Sequence, residues 1–199
     1  MKTRPHLNVT YISERLQEAL CDIFQYSVTT VTAPMGYGKT TAVSAFLKQA
    51  EKDGILIRRQ SIYSSTSSFW KGFCRLFSGT AVYEELTALP FPVDENSRAF
   101  FLELLDQGFQ TDDAPVCFFI DDLHLLSEPS VFALLLALAR LSLPGLHLIL
   151  ASRNPVFSPS EKLLLGKNLL EIDAGILSLR PEELKNYCSL CDLKLDISS

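Results

Sequence analysis

A short glycine-containing run most constrains how this chain can fold. It reads Ala-Pro-Met-Gly-Tyr-Gly-Lys-Thr-Thr and covers residues 33–41. Residues 27–32 before it are rich in β-branched side chains, which favour a buried strand. After it, apolar side chains recur at i, i+3, i+4 and i+7, so we expect a helix that begins near Lys39. The order of strand, glycine-containing loop and helix is typical of a phosphate-binding loop.

The residue types in this loop fit the chemistry of phosphate binding. Gly36 and Gly38 allow backbone N–H groups to point inward at the positive end of the helix dipole. We expect Lys39 to reach the β- and γ-phosphates of a nucleotide, and the Thr40 hydroxyl to bind Mg²⁺. The other residues of the predicted nucleotide-binding loop are Pro34, Met35, Tyr37 and Thr41.

One position of the loop departs from the usual pattern G-x-x-x-x-G-K-[ST]. Ala33 stands where the first glycine is expected. That residue mainly closes the turn, so we expect alanine to be tolerated there. The alternative interpretation is a glycine-rich turn between a strand and a helix, with an incidental surface lysine.

Size and charge favour a single domain with no nucleic-acid surface of its own. A chain of 199 residues suits one α/β domain, which buries about 70% of the surface that its unfolded chain exposes. We expect a lead-in and an N-terminal helix over residues 1–26, and an αβα core over residues 27–192. The net charge of −5 and the lack of a basic run argue against nucleic-acid binding by this chain.

The cysteines and the N-terminus indicate a cytoplasmic protein. The five cysteines form no disulfide-like framework, and the first residues lack the apolar region of a signal peptide. Cys188 and Cys191 form a lone C-x-x-C pair, which is weak evidence for a metal site. The longest apolar run, residues 131–139, is too short for a membrane span and predicts a helix that is buried or faces a partner.

Two carboxylates follow a second strand-like run. Residues 116–120 are continuously apolar and have the length of a buried strand, and Asp121 and Asp122 come directly after them. We expect Asp121 to hold Mg²⁺ opposite Thr40, and Asp122 to orient or deprotonate the attacking water. The alternative is an acidic turn, because aspartate favours loops.

A basic residue ends another buried strand. Residues 146–151 are apolar and precede Arg153. A cation at this strand end would approach the γ-phosphate, so Arg153 is a candidate sensor that distinguishes a triphosphate from a diphosphate. The alternative is a surface arginine before a proline turn. His124, just past the two aspartates, could touch the γ-phosphate region, but we expect it to satisfy the backbone of a turn rather than to act in catalysis.

An N-terminal helix leads directly into the strand that precedes the loop. Residues 11–20 have a helical apolar pattern, and Ser13 is a candidate cap. The start of this helix would therefore lie near the nucleotide site. Tyr11 and Ile12 would either line an adenine pocket or belong to the core.

The middle of the chain predicts further elements of the fold. A strand that opens at residues 55–57 becomes polar and is expected near a sheet edge. An aromatic stripe over residues 69–77 is typical of a core-facing helix, and residues 101–109 predict another amphipathic helix. Irregular spacing predicts a connection over residues 79–92.

Four segments together resemble a known family. They read A-P-M-G-Y-G-K-T-T, F-F-I-D-D-L-H-L-L, L-I-L-A-S-R-N-P and L-S-L-R-P-E-E-L, in that order. They resemble the N-terminal ATPase module of large ATP-binding LuxR-type transcription regulators, the maltose regulator family, which belongs to the signal-transducing STAND ATPases. The resemblance extends from Tyr11 to about Leu190.

The resemblance implies a fold, a ligand and a set of roles. The fold is α/β, a three-layer αβα P-loop NTPase with a mostly parallel sheet in the strand order 5-1-4-3-2. The implied ligand is ATP or ADP with Mg²⁺, held at the metal by Thr40 and Asp121. Lys39 binds phosphate, Asp122 assists hydrolysis and Arg153 senses the γ-phosphate.

The start of the chain is similar to the opening segment of the family. The similar residues, Glu14-Arg15-Leu16, would put Arg15 near the adenine. Ser13 replaces a residue that is often basic in the family. In the family, the module is followed by a lid or winged-helix region, a helical-repeat sensor and a C-terminal helix-turn-helix that binds DNA. The chain would then be an N-terminal part of a larger regulator, or a short relative.

The expected function is an ATP-dependent switch that hydrolyses ATP slowly and self-associates in the full-length protein. Two other function classes use the same loop or the same fold. One is a small P-loop kinase that transfers phosphate to an acceptor. The other is a degenerate interaction module that binds no nucleotide.

Overall fold

Five strands form one sheet at the centre of the protein. A computed structural model describes residues 10–62, 65–110, 114–191 and 193. The strands are β1 (Val28–Thr32), β2 (Leu56–Ser61), β3 (Val116–Asp121), β4 (Leu146–Ser152) and β5 (Leu169–Asp173). They lie in the order β2-β3-β4-β1-β5, and each of these neighbouring pairs is parallel. The predicted order 5-1-4-3-2 is confirmed.

Nine helices are described around the sheet, with short 3₁₀ turns between some of them. The helices are α1 (Glu14–Cys21), α2 (Lys39–Lys52), α3 (Thr66–Arg75), α4 (Tyr83–Ala88), α5 (Glu95–Gly108), α6 (Pro129–Leu141), α7 (Pro159–Leu165), α8 (Ala174–Leu177) and α9 (Pro181–Leu190). Ser13 caps α1 as predicted, since its Oγ accepts a hydrogen bond from the Leu16 N–H at 3.3 Å. Asp94 and Ser158 cap α5 and α7 in the same way.

Helices cover both faces of the sheet, because successive side chains of the central strands point to opposite faces. Phe118 of β3 and Leu148 of β4 pack against α3, α5 and α6. Phe119 of β3 and Ile149 of β4 pack on the other face, against α1 and α2. The result is the predicted three-layer αβα arrangement. The β2 strand lies at an edge of the sheet, as its polar end predicted.

The aromatic stripe of α3 and the residues after it belongs to the core, as predicted. Phe69, Phe73 and Phe77 are fully buried on the α3 side of the sheet. The Phe77 ring lies edge-on to the ring of Phe118, with 4.9 Å between the centroids. This contact ties the helical layer directly to the centre of β3.

The structure shows where three further segments of the sequence lie. The connection predicted over residues 79–92 contains the short helix α4. Packing stabilises this helix, since its Leu86 is fully buried on the α3 side of the sheet. The longest apolar run, residues 131–139, lies in α6, and the apolar face of this helix is buried in the core. Cys188 and Cys191 are buried thiols, and among the described residues no group of side chains is arranged to hold a metal ion.

The described residues do not include either end of the sequence. The predicted lead-in at residues 1–9 lies outside the described residues, as does the extreme C-terminus after residue 193. Within the described ranges, none of the helices combines the length and the apolar character that a bilayer crossing requires.

We expect replacement of Phe77 by alanine to lower the free energy of unfolding by about 3–5 kcal/mol, because the lost ring leaves a cavity among Phe73, Phe109 and Phe118. Phe100→Ala is the control, since this side chain is 57% exposed on α5. We expect it to change stability by less than about 0.5 kcal/mol. Urea unfolding of both variants measures the difference, and equal losses would contradict the assignment of the core.

Candidate functional site

The glycine-containing loop lies at the carboxyl edge of the sheet, between the end of β1 and the start of α2. Gly36 has φ of +90° and Gly38 has φ of +74°, so both residues adopt a left-handed conformation that strains other side chains. The space where a Cβ would stand is open at both positions. Gly38 directly precedes the first residue of α2, so the loop ends at the positive end of that helix dipole.

Lys39 reaches back across the loop. Its Nζ donates hydrogen bonds to the carbonyl oxygens of Ala33, at 2.6 Å, and Pro34, at 3.0 Å. Burial lowers the pKa of Lys39, and Asp121 acts in the opposite direction. The ammonium group of Lys39 is therefore held against the loop by two carbonyl oxygens. Phosphate oxygens are hydrogen-bond acceptors as well.

Thr40 and Asp121 are joined by a short hydrogen bond. The Thr40 hydroxyl donates to Asp121 Oδ2 at 2.6 Å. The second oxygen of the same carboxylate, Oδ1, accepts from the Asp122 N–H at 2.8 Å. Asp121 is the last residue of β3 and is buried, so its carboxylate is fixed in place. Hydroxyl and carboxylate oxygens are ligands that Mg²⁺ prefers, and this pair fits a magnesium site.

Asp122 and Arg153 extend the polar cluster. Asp122 has φ of +61°, and its side chain is 48% exposed at the start of the turn that follows β3. Arg153 is exposed directly after β4. Burial is the main cause of the lowered pKa of Lys39, and the charge of Arg153 acts in the same direction, against the two aspartates. The three strand ends therefore bring Lys39, both aspartates and Arg153 into one electrostatic group.

A cavity of about 720 Å³ adjoins the loop. Its walls come from the start of the described chain, from the loop and α2, and from the segment between α8 and α9. The lining residues are Thr10, Tyr11, Leu16, Gly36, Tyr37, Gly38, Thr41, Ala42, Leu177, Ser178, Leu179 and Tyr187. The rings of Tyr11 and Tyr187 are neighbours, with 6.1 Å between the centroids and their planes tilted by 44°. The size and the mixed lining are those of a pocket for a small organic ligand.

Other residues predicted for the nucleotide site lie outside this lining. Ile12 lines a second cavity of about 390 Å³, between α1 and α2. Pro34 and Met35 lie in the loop without lining either cavity, and Met35 is 75% exposed.

Arg15 holds one wall of the larger cavity without lining it. Its guanidinium donates to the carbonyl oxygens of Gly175, at 3.1 Å, and Ser178, at 2.7 Å. It also pairs with Glu183 at 3.5 Å. The backbone N–H of Arg180 lowers the pKa of Glu183, and Arg15 acts in the same direction. The N-terminal helix is thereby attached to the segment that closes the cavity.

No site residue after Arg153 is predicted from the sequence. In the structure, four later residues line the cavity, namely Leu177, Ser178, Leu179 and Tyr187. The available signal was the segment L-S-L-R-P-E-E-L, which begins at Leu177. This segment contributes to the family resemblance but does not identify a site. An apolar segment before a helix has the same pattern whether it lines a pocket or belongs to a core.

The sequence pattern of the AAA ATPase domain matches residues 12–150 of this chain. The chain belongs to that family. The match includes the whole glycine-containing loop and both aspartates, and it ends just before Arg153.

Solved structures show the same fold. One is the Drosophila ORC bound to AT-rich DNA and Cdc6, with 13% identity and a TM-score of 0.50 over 80% of this chain and 55% of that chain. Another is the Drosophila ORC bound to DNA, also with 13% identity and a TM-score of 0.50, over 82% of this chain and 93% of that chain. At this identity the likeness is one of fold.

We expect Arg15→Met to loosen the wall segment, because each of the lost hydrogen bonds contributes about 1 kcal/mol. Amide hydrogen exchange should show protection over residues 176–190 reduced by on the order of tenfold, with α2 unchanged. Arg98→Met is the control, since the guanidinium of Arg98 donates to the carbonyl of Val93, just before α5 and far from the wall segment in sequence. Unchanged protection in the Arg15 variant would contradict the attachment.

Proposed function

We propose that this chain binds Mg²⁺-ATP as a nucleotide-dependent switch module and hydrolyses ATP slowly. One observation carries the proposal. The ends of β1, β3 and β4 bring an ammonium group, two carboxylates and a guanidinium together beside a cavity of about 720 Å³. Ligands of parallel α/β sheets bind at this edge.

The phosphate and metal roles follow from the contacts of the loop. Lys39 exchanges the carbonyls of Ala33 and Pro34 for oxygens of the β- and γ-phosphates. Thr40 and Asp121 already hold their oxygens 2.6 Å apart, and both hold the metal. Bound Mg²⁺ supplies positive charge that neutralises the phosphate oxygens.

The remaining roles belong to side chains at the strand ends and in the cavity. Asp122 orients the attacking water and accepts its proton, and Arg153 contacts the γ-phosphate. Tyr11 and Tyr187 contact the base from the cavity wall, because aromatic rings offer apolar surface to a planar group. Arg15 positions the wall segment around the base through its bonds to Gly175 and Ser178.

A switch requires that ATP and ADP stabilise different states. Arg153 is exposed, and its interaction with Lys39 is electrostatic. Because its side chain is not fixed at the site, we expect turnover by the single chain to be slow. A further lid or a neighbouring copy of the chain completes the site. The ordered resemblance to the ATPase module of LuxR-type regulators supports a role in transcription regulation in the cytoplasm, with self-association of the full-length protein.

DNA contact belongs to a separate helix-turn-helix domain in this proposal. The Drosophila ORC structures are described with bound DNA. This chain has a net charge of −5, and a surface that neutralises phosphates needs clustered lysine and arginine.

Calorimetry with ATP and ADP, with and without Mg²⁺, tests nucleotide binding. We expect Lys39→Ala to weaken the affinity for Mg²⁺-ATP by roughly 10- to 100-fold, because a hydrogen bond to a charged group contributes about 1.5–3 kcal/mol. Lys48→Ala is the matched control, since Lys48 is exposed on the same helix.

No nucleotide binding by the wild-type protein would overturn the proposal and favour a degenerate interaction module. Rapid turnover after addition of a small phosphate acceptor would favour the kinase instead.

A further inference from the structure

His124 is a buried side chain whose ring has no hydrogen-bond partner. It lies in the 3₁₀ turn Leu123–Leu125 that follows β3, and 9% of its side chain is exposed. Both ring nitrogens are shielded from solvent and unpartnered among the residues that the structure describes. The expectation that His124 satisfies the backbone of a turn is therefore wrong. Buried polar groups without partners are rare and costly, so this ring requires an explanation.

The other described histidine shows the usual arrangement. His147 in β4 has its Nδ1 at 2.9 Å from the carbonyl oxygen of Tyr26. Its ring also packs edge-on against Phe24. A histidine of this kind is explained by the fold alone, whereas the fold provides no partner for His124.

The surroundings of His124 are those of the proposed terminal phosphate. Nδ1 is 3.9 Å from Asp122 Oδ1, which is too long for a hydrogen bond. Burial lowers the pKa of His124, the cations Arg153 and Lys39 act in the same direction, and the carboxylates Asp122 and Asp121 oppose them. The ring thus lies among the four charged groups that the proposed function places around the phosphates.

We propose that His124 recognises the terminal phosphate of a bound nucleoside triphosphate, and that one of its ring N–H groups donates a hydrogen bond to an oxygen of that phosphate. The inference rests on the proposed function. A nucleoside diphosphate lacks this acceptor and leaves the ring unpartnered. His124 is therefore a specificity residue that favours the triphosphate, in addition to Arg153.

A neutral imidazole suits this position better than a third cation. Lys39 and Arg153 already supply positive charge, and a neutral ring donates one hydrogen bond without adding repulsion between cations. Because solvent does not reach the ring nitrogens, a neighbouring side chain must shift to admit a phosphate oxygen. Lys39 is such a neighbour, since phosphate replaces its bonds to Ala33 and Pro34.

Nuclear magnetic resonance of the whole chain labelled with ¹⁵N-histidine tests the contact without relying on turnover. Spectra are compared for the free protein, with Mg²⁺-ADP and with Mg²⁺-AMPPNP. We expect the ring signals of His124 to shift only with the triphosphate analogue, and those of His147 to stay unchanged. His124→Gln assigns the signals.

Two outcomes of this experiment overturn the inference in distinguishable ways. Identical His124 signals with both nucleotides, when calorimetry shows that both are bound, would overturn the role of His124 alone. Absence of binding of either nucleotide would overturn the proposed function and this inference with it.

The ratio of ATP to ADP affinity gives an independent readout. We expect His124→Ala to lower this ratio by about tenfold while the affinity for ADP is kept, since only the triphosphate uses the hydrogen bond. Glutamine and asparagine each place an amide N–H close to the position of one histidine ring nitrogen. We therefore expect His124→Gln or His124→Asn to restore part of the ATP-to-ADP ratio that His124→Ala loses. His147→Gln is the control and should leave the ratio unchanged. An unchanged ratio in His124→Ala, or an equal loss for both nucleotides, would overturn the inference.

Discussion

Parallel pairing of β3, β4 and β1 is the constraint on which the site depends. Thr32 at the end of β1 pairs with Ser152 at the end of β4, and Ile120 of β3 pairs with Leu150. The chain leaves all three strands at one edge of the sheet and at nearly the same level. The loop at residues 33–41, the two aspartates at 121 and 122 and the arginine at 153 consequently meet there, although they come from separate parts of the sequence. A shift of one residue in the pairing would move each side chain to the opposite buried face, so the packing of both faces holds this alignment.

The polar groups at this edge differ in how they are satisfied without nucleotide. Lys39 bonds carbonyls of its own loop, and Thr40 bonds Asp121. Both side chains are therefore satisfied by groups of the protein itself. His124 has no such substitute among the described residues. The cavity beside the loop is closed by a different mechanism, in which Arg15 attaches the N-terminal helix to the backbone of the α8–α9 segment.

The central strands β3 and β4 could be predicted because they are short apolar runs with clear ends. Residues 116–120 and 146–151 were identified from composition alone, and the order of the sheet followed from the family resemblance. Two helices were missed for a physical reason. The α4 and α8 helices have six and four residues, too few for a helical period to be visible, and they are stabilised by buried leucines at positions 86 and 177.

The sequence by itself determined the phosphate-binding loop, the acidic strand end and the parallel αβα architecture, because these depend on local residue types and on apolar patterns within one segment. Only the tertiary structure decided which side chains share a site. Arg15 bonds carbonyls that are 160 and 163 residues away, and the ring of Tyr11 lies beside that of Tyr187. His124 is unpartnered among the described residues and lies near charges from three segments of the chain. Such relations depend on how segments pack against each other, and no local pattern specifies where a side chain finds its partner or fails to find one.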